Sequence, residues 1–183
     1  MEFNPIDKVN DFVQRFKEYS PKLWKKCDDN YDWLADEADV CIEIINPDPD
    51  ASIKNIIIHC ENEGEFTLYY CGHTHFSPYE EDFERLCRMT SDILNSEIGS
   101  ETVYGGEDGR WLCFSFTRRE EIEDSIWECA EVLTDEEIDS MLRYQFEKDV
   151  LKKLRAFGGM VEYRFWNSAY NKTVNIDNAN DEE

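Results

Sequence analysis

Cys71-Gly72-His73-Thr74-His75-Phe76-Ser77 is the stretch whose residue types could do chemistry, because it holds two of the chain's three histidines at alternate positions. Residues two apart on a strand share a face, so a persisting strand would put His73 and His75 side by side, with Cys71 on the same parity. Imidazole and thiolate so placed could hold zinc, with His59 or an acid of the following helix completing a tetrahedron. The competing reading is that both rings tie a strand end to a helix start through backbone hydrogen bonds. It is the favoured one, since a lone H-x-H lacks the spacing of a four-ligand pattern. Cys71 with His73, or Cys60 beside His59, are sequence neighbours, whereas working Cys-His dyads bring distant positions together. Gly105-Gly106 and Gly158-Gly159 match no phosphate-binding loop, and Asp28-Asp29 and Asp48-Pro49-Asp50 lack the calcium-loop pattern. No catalytic residue and no cofactor is expected.

The elements that would position these residues follow from periodicity and turn chemistry. Asn4-Pro5 opens a helix whose Ile6, Val9, Phe12, Val13 and Phe16 recur at helical spacing, and Ser20-Pro21 restarts a short one through Leu23 and Trp24. The N-terminal helical segment is thus predicted over about residues 5–27. Val40, Ile42 and Ile44 alternate in a strand, and Asn62-Glu63-Gly64 joins Asn55 to Glu61 with Glu65 to Cys71 as a hairpin. Ser77-Pro78-Tyr79-Glu80 reads as a capping box for a helix running until Gly99. A second hairpin pairs Thr102 to Gly105 with Arg110 to Phe116, with Leu112, Phe114 and Phe116 facing inward. Thr117 and Thr134 each open a further capping box, the first for a helix through Cys129. The second starts a helix with Ile138, Leu142, Phe146, Val150 and Leu154 at four-residue steps, stopped by Gly158-Gly159. Met160 to Trp166 is a last strand. The expected fold is α+β, a mainly antiparallel sheet of hairpins with helices packed on it, as a single domain over residues 1–170 with a frayed acidic tail over 171–183.

Charge then selects among functions. The 183 residues carry 19 Lys plus Arg against 42 Asp plus Glu, a net charge of -23, with 14% aromatic residues. That aromatic content argues for a folded body displaying the acids, and the field repels phosphate backbones and anionic membranes. A basic partner is expected instead. Tyr31 to Ile53 has seven acids and no base, and Pro78 to Gly109 has nine acids against Arg85 and Arg88. Tyr31-Asp32-Trp33 and Tyr79-Glu80-Glu81 set large aromatic anchors beside carboxylates, as interface hot spots do. The predicted docking residues are therefore Asp32, Trp33, Asp36, Glu37, Asp39, Tyr79, Glu80, Glu81, Asp82 and Glu84. The alternative is an ordinary solvating surface with Trp33 and Tyr79 in the core.

The N-terminal residues show no secretory signal pattern, no apolar run reaches transmembrane length, and seven scattered cysteines form no C-x-x-C pair. A cytoplasmic protein with reduced thiols is expected. Tyr69-Tyr70-Cys71-Gly72-His73-Thr74-His75-Phe76, followed by Tyr79-Glu80-Glu81-Asp82-Phe83-Glu84, resembles small acidic bacterial immunity proteins of polymorphic-toxin loci, including contact-dependent growth inhibition systems. The resemblance covers Tyr69 to Glu84 only. It implies a cytosolic antidote that binds one toxin domain, often a basic nuclease, and occludes its active site without catalysis. A metal-binding protein or metal-dependent hydrolase centred on His73 and His75 is the second hypothesis, and an adaptor or nucleic-acid mimic the third.

Overall fold

The computed structural model describes residues 2–24 and 39–178. The fold is α+β, with two antiparallel sheets and helices packed against them, and the chain divides into two compact units, Met1–Asn95 and Ser96–Glu183.

The first unit is built on a five-stranded meander in the order β1 (Lys22–Trp24), β2 (Val40–Ile45), β3 (Asn55–Cys60), β4 (Phe66–Tyr70) and β5 (Gly72–Phe76). Its register sorts the two faces. Ile42, Ile58 and Leu68 stand opposite one another on β2, β3 and β4, fully buried, with Ile44 beside Ile56. The other face carries the row Trp24, Cys41, His59, Thr67 and His75 across all five strands. On the apolar side α1 (Val9–Arg15) buries Val9 and Phe12, and α2 (Glu80–Leu94) buries Phe83, Leu86, Cys87 and Ile93. Phe66 meets Phe83 with ring centroids 5.7 Å apart, joining sheet to helix.

Asn4 caps the first 3-10 turn (Pro5–Lys8) by accepting from the Ile6 amide, with Pro5 at its first position, as the sequence predicts. The expected second helix near Leu23 is instead the edge strand β1. Ser20 turns the chain in a left-handed conformation (φ 52°), and Lys22–Trp24 then pairs with Cys41 to Glu43, satisfying its backbone on a sheet edge. The remainder of that predicted helical segment, residues 25–27, lies outside the described residues. The histidine strand also departs from expectation: it does not continue β4 but reverses at Cys71 (φ 58°), so that Tyr70 faces Gly72. α2 begins two residues later than its capping box predicts. Tyr79 is held extended by a bridge to Glu2, so Ser77 makes no cap.

The second unit has the strand order β7 (Arg110–Arg118), β6 (Ile98–Gly105), β8 (Gly159–Arg164) and β9 (Lys172–Ile176). β9 replaces the start of the expected frayed tail. Val174 packs against the core and Ile176 is buried, so this short apolar pair is enough to seat the strand on β8. Cys113, rather than the predicted Phe114 and Phe116, joins the β7 core face; those two rings stack edge-on 5.1 Å apart, half-buried. Thr117 lies within β7 opposite Gly99, so its capping box is not used, and two 3-10 segments (Arg119–Asp124 and Ile126–Cys129) take the place of the predicted helix.

The Thr134 capping box forms in full, but the long helix it opens divides into α3 (Asp135–Met141) and α4 (Gln145–Phe157). Four-residue steps drift about 40° each around a helix, so Ile138 and Leu154 would face opposite sides of one straight rod. The break at 142–144 lets Ile138, Val150, Leu151 and Leu154 enter one core and leaves Phe146 outside. Asp135 with Arg155 and Asp139 with Lys152, each at 2.8 Å, then tie the acidic α3 to the basic α4.

Leu154 rests on Gly105 and Gly159, which face each other on β6 and β8. A methyl group at position 159 would strike the Tyr104 carbonyl and the Leu154 side chain. Gly159→Ala is therefore expected to cost about 2 kcal/mol through overpacking, measured by urea unfolding, whereas Gly106→Ser, in open space but at φ 80°, costs about 1 kcal/mol through backbone strain alone.

Candidate functional site

The three histidines share the polar face of the first sheet. His59 is buried and its Nε2 lies 2.9 Å from Asp39 Oδ2, while Asp39 Oδ1 accepts from the Asn62 amide. His75 is exposed and holds Glu65 at 2.6 Å and Thr67 Oγ at 3.1 Å through Nδ1. Its ring meets that of His73 edge-on at 5.2 Å, and His73 in turn faces Tyr69 at 5.9 Å. The predicted proximity of His73 and His75 is met, on a strand of their own. Among the described residues, no group of three or more His, Cys, Asp or Glu side chains is arranged to hold a metal ion. Each imidazole instead has a carboxylate, hydroxyl or ring for a neighbour.

Of the predicted docking residues, Asp32, Trp33, Asp36 and Glu37 lie outside the described residues. Asp39 is committed to His59 and Asn62. Tyr79 is 43% exposed at the α2 N-terminus, where Glu80, Glu81 and Asp82 follow in the first turn. Most of these acids already have cations. Glu80 meets Lys8 at 2.8 Å, Asp82 meets Arg85, and Glu84 receives both guanidinium nitrogens of Arg15 at 2.8 and 2.9 Å. The Phe83 ring lies beneath Lys8 and Arg15, so the pairs close α1 onto α2 over an aromatic floor. The Arg15 hydrogen bonds hold the Glu84 carboxyl below the usual glutamate range. A carboxylate lowered in the folded state stabilises above its unfolded value, and the contribution disappears as pH falls through the folded one. Arg15→Ala is thus expected to lose at most about 1 kcal/mol at pH 7, the pair being part-exposed, and nothing at pH 3, measured by urea unfolding at both.

The densest uncompensated charge is elsewhere. From Glu120 to Leu142 the sequence has ten acids and no Lys or Arg, a run that crosses both 3-10 segments and α3. Glu120, Glu121, Glu123, Glu131 and Glu136 are exposed and make no ion pair among the described residues. Windowed counting by predicted element conceals this run, because the next base, Arg143, enters the same predicted helix as Asp135.

A polar row, buried at its centre, anchors the run. Ser115, Glu101, Tyr163 and Lys172 stand opposite one another across all four strands of the second sheet. Glu101, 7% exposed, accepts from Ser115 Oγ at 3.0 Å, Ser125 Oγ at 3.1 Å and the Trp127 indole at 2.6 Å. Tyr163 donates to Glu128 at 2.8 Å, and Lys172 reaches both oxygens of Glu128 at 2.9 and 3.0 Å. Burial holds the Tyr163 phenol in its neutral form, and burial together with the Glu101 charge pushes the Cys113 thiol up to about 12. Ser125, Trp127 and Glu128 all belong to the acidic run, so two buried contacts and one half-buried one fix its course on the sheet. This arrangement can orient charge; no open cleft exposes Glu101 or Ser125 to a substrate, since both are buried and mutually bonded.

No family model, curated protein or solved structure matches the chain. No helix among the described residues is long and apolar enough to cross a membrane.

Proposed function

We propose that this chain is a binding protein rather than an enzyme: a cytoplasmic immunity protein that captures a basic toxin domain, most fittingly a nuclease, and covers its active site. The observation that carries the reading is the set of exposed glutamates, Glu120, Glu121, Glu123, Glu131 and Glu136, left without cations in a base-free run on a chain of net charge -23. A nuclease surface evolved to bind phosphates is basic, and an acidic face steers toward it and competes with its substrate. The anchors at Ser125, Trp127 and Glu128 support the same reading, because a surface fixed before binding loses less conformational freedom on association. The alternative centred on His73 and His75 gains nothing from the geometry, since His75 is committed to Glu65 and Thr67 and His59 to Asp39.

Co-expression with the proposed partner, a basic nuclease toxin domain, tests the proposal. Survival of the cells, with recovery of a stoichiometric complex, is the expected result. Cell death at full expression of this chain, with no complex, would overturn it.

A further inference from the structure

The outer face of α4 is built to meet a copy of itself. Val150, Leu151 and Leu154 are buried in the core, yet Phe146 and Phe157 are 58% and 53% exposed. Eleven residues apart, the two rings fall within about 20° of each other around the helix and about 16 Å apart along it. Lys153 lies on the same stripe and Asp149 beside it, both exposed. The other cations of α4 are spent at home: Lys152 on Asp139, Arg155 on Asp135, and Lys148 on the Asp139 carbonyl. Lys153 has no ion pair among the described residues. Asp149 is bonded only through one oxygen, to the Gln145 amide at 2.8 Å. At the far end of the stripe Trp111, 58% exposed, joins Leu112, Lys153 and Phe157 around a depression of about 450 Å³ that Glu107, Asp108 and Arg110 also line.

We propose that this stripe is the interface of a symmetric dimer in which two α4 helices pack antiparallel about a two-fold axis. A two-fold contact requires that if one residue meets a second, the second meets the first. Centred between Leu151 and Lys152, the stripe satisfies this: Phe146 of one copy falls opposite Phe157 of the other, and Asp149 comes within one residue, about 1.5 Å along the axis, of the level of Lys153 on the other copy, a gap the lysine side chain spans. Phe146 of each copy then fills the depression beside Trp111 of the other. Charge favours the same element. Two chains of net charge -23 repel, but α4 has four bases against two acids, so facing helices bring together the least negative part of the surface. The contact concerns a face other than the acidic run and does not depend on the toxin-binding reading.

Light scattering during size-exclusion chromatography, at roughly 100 µM where a small interface of this kind is populated, tests it on four full-length proteins, with far-ultraviolet circular dichroism to verify folding. The wild type is expected at the mass of two chains, and Phe146→Asp at the mass of one, with an unchanged spectrum. Lys153→Asp sets like charges opposite each other and is expected to weaken association at least about tenfold. The double variant D149K/K153D restores opposite charges and returns the dimer. A wild type of one-chain mass at that concentration, a Phe146→Asp protein that stays dimeric, or a double variant no better than Lys153→Asp would each overturn the proposal.

Discussion

Replacing Glu101 by alanine is expected to destabilise the second unit by about 4 kcal/mol, because it strands the buried Ser125 hydroxyl and Trp127 indole N–H without an acceptor, while the exposed Ser115 hydroxyl turns to water. A buried donor left unpaired costs its full desolvation, and here one deletion affects two. Glutamine separates shape from charge. Its carbonyl can accept from Ser115 and Trp127, and the Ser125 hydroxyl can rotate to accept from its amide, so Glu101→Gln should lose only about 1 kcal/mol, the advantage of a charged acceptor. Urea unfolding followed by tryptophan fluorescence reads both variants directly. A Glu101→Ala protein within 1 kcal/mol of the wild type would mean that the carboxylate does not organise the donors around it.

The second large effect is kinetic. Glu120, Glu121 and Glu123 are exposed and without cations, so their simultaneous replacement by lysine should leave the unfolding transition in place. The reversal changes the local charge by six, and association with the basic toxin domain is expected to slow at least about tenfold at low salt, with the difference shrinking as salt screens it. Stopped-flow mixing measures this. A slower off-rate with an unaltered on-rate, or equal on-rates at all salt concentrations, would place the docking surface elsewhere. Reversal at Glu80 and Glu84 should act differently: it breaks the pairs with Lys8 and Arg15 and is felt first as a loss of α1 packing.

The two predictions draw on features that were unequally visible in the sequence. The fold class was legible, as were both predicted hairpins and the Thr134 cap, because each is written in a local code of alternation, turn residues and capping side chains. Departures occur where a local signal competes with a distant partner. Lys22–Trp24 has too few residues to show a period and becomes a strand only because β2 offers it an edge. The Thr117 box yields to pairing with Gly99, and the run after it is broken into 3-10 turns as Ser125 and Trp127 reach for Glu101. The even four-residue steps from Ile138 to Leu154 look like one helix, yet their drift around the axis requires two.

The candidate site divides in the same way. The proximity of His73 and His75 follows from alternation; the pairing of Glu80 with Lys8 and of Glu84 with Arg15 does not, because it joins helices far apart in the sequence. The base-free run from Glu120 to Leu142 is present in the sequence as plain composition. The Glu101 row is not, because Glu101, Ser115, Ser125 and Tyr163 come from separate elements and acquire meaning only at one register position of the folded sheet.

Titrating the purified protein into the proposed partner, a basic nuclease toxin domain, with the toxin's own activity as the readout, tests the central claim most directly. A neutralising binder predicts activity that falls in proportion to added protein and reaches zero at one equivalent. Full toxin activity in the presence of excess folded protein would contradict it.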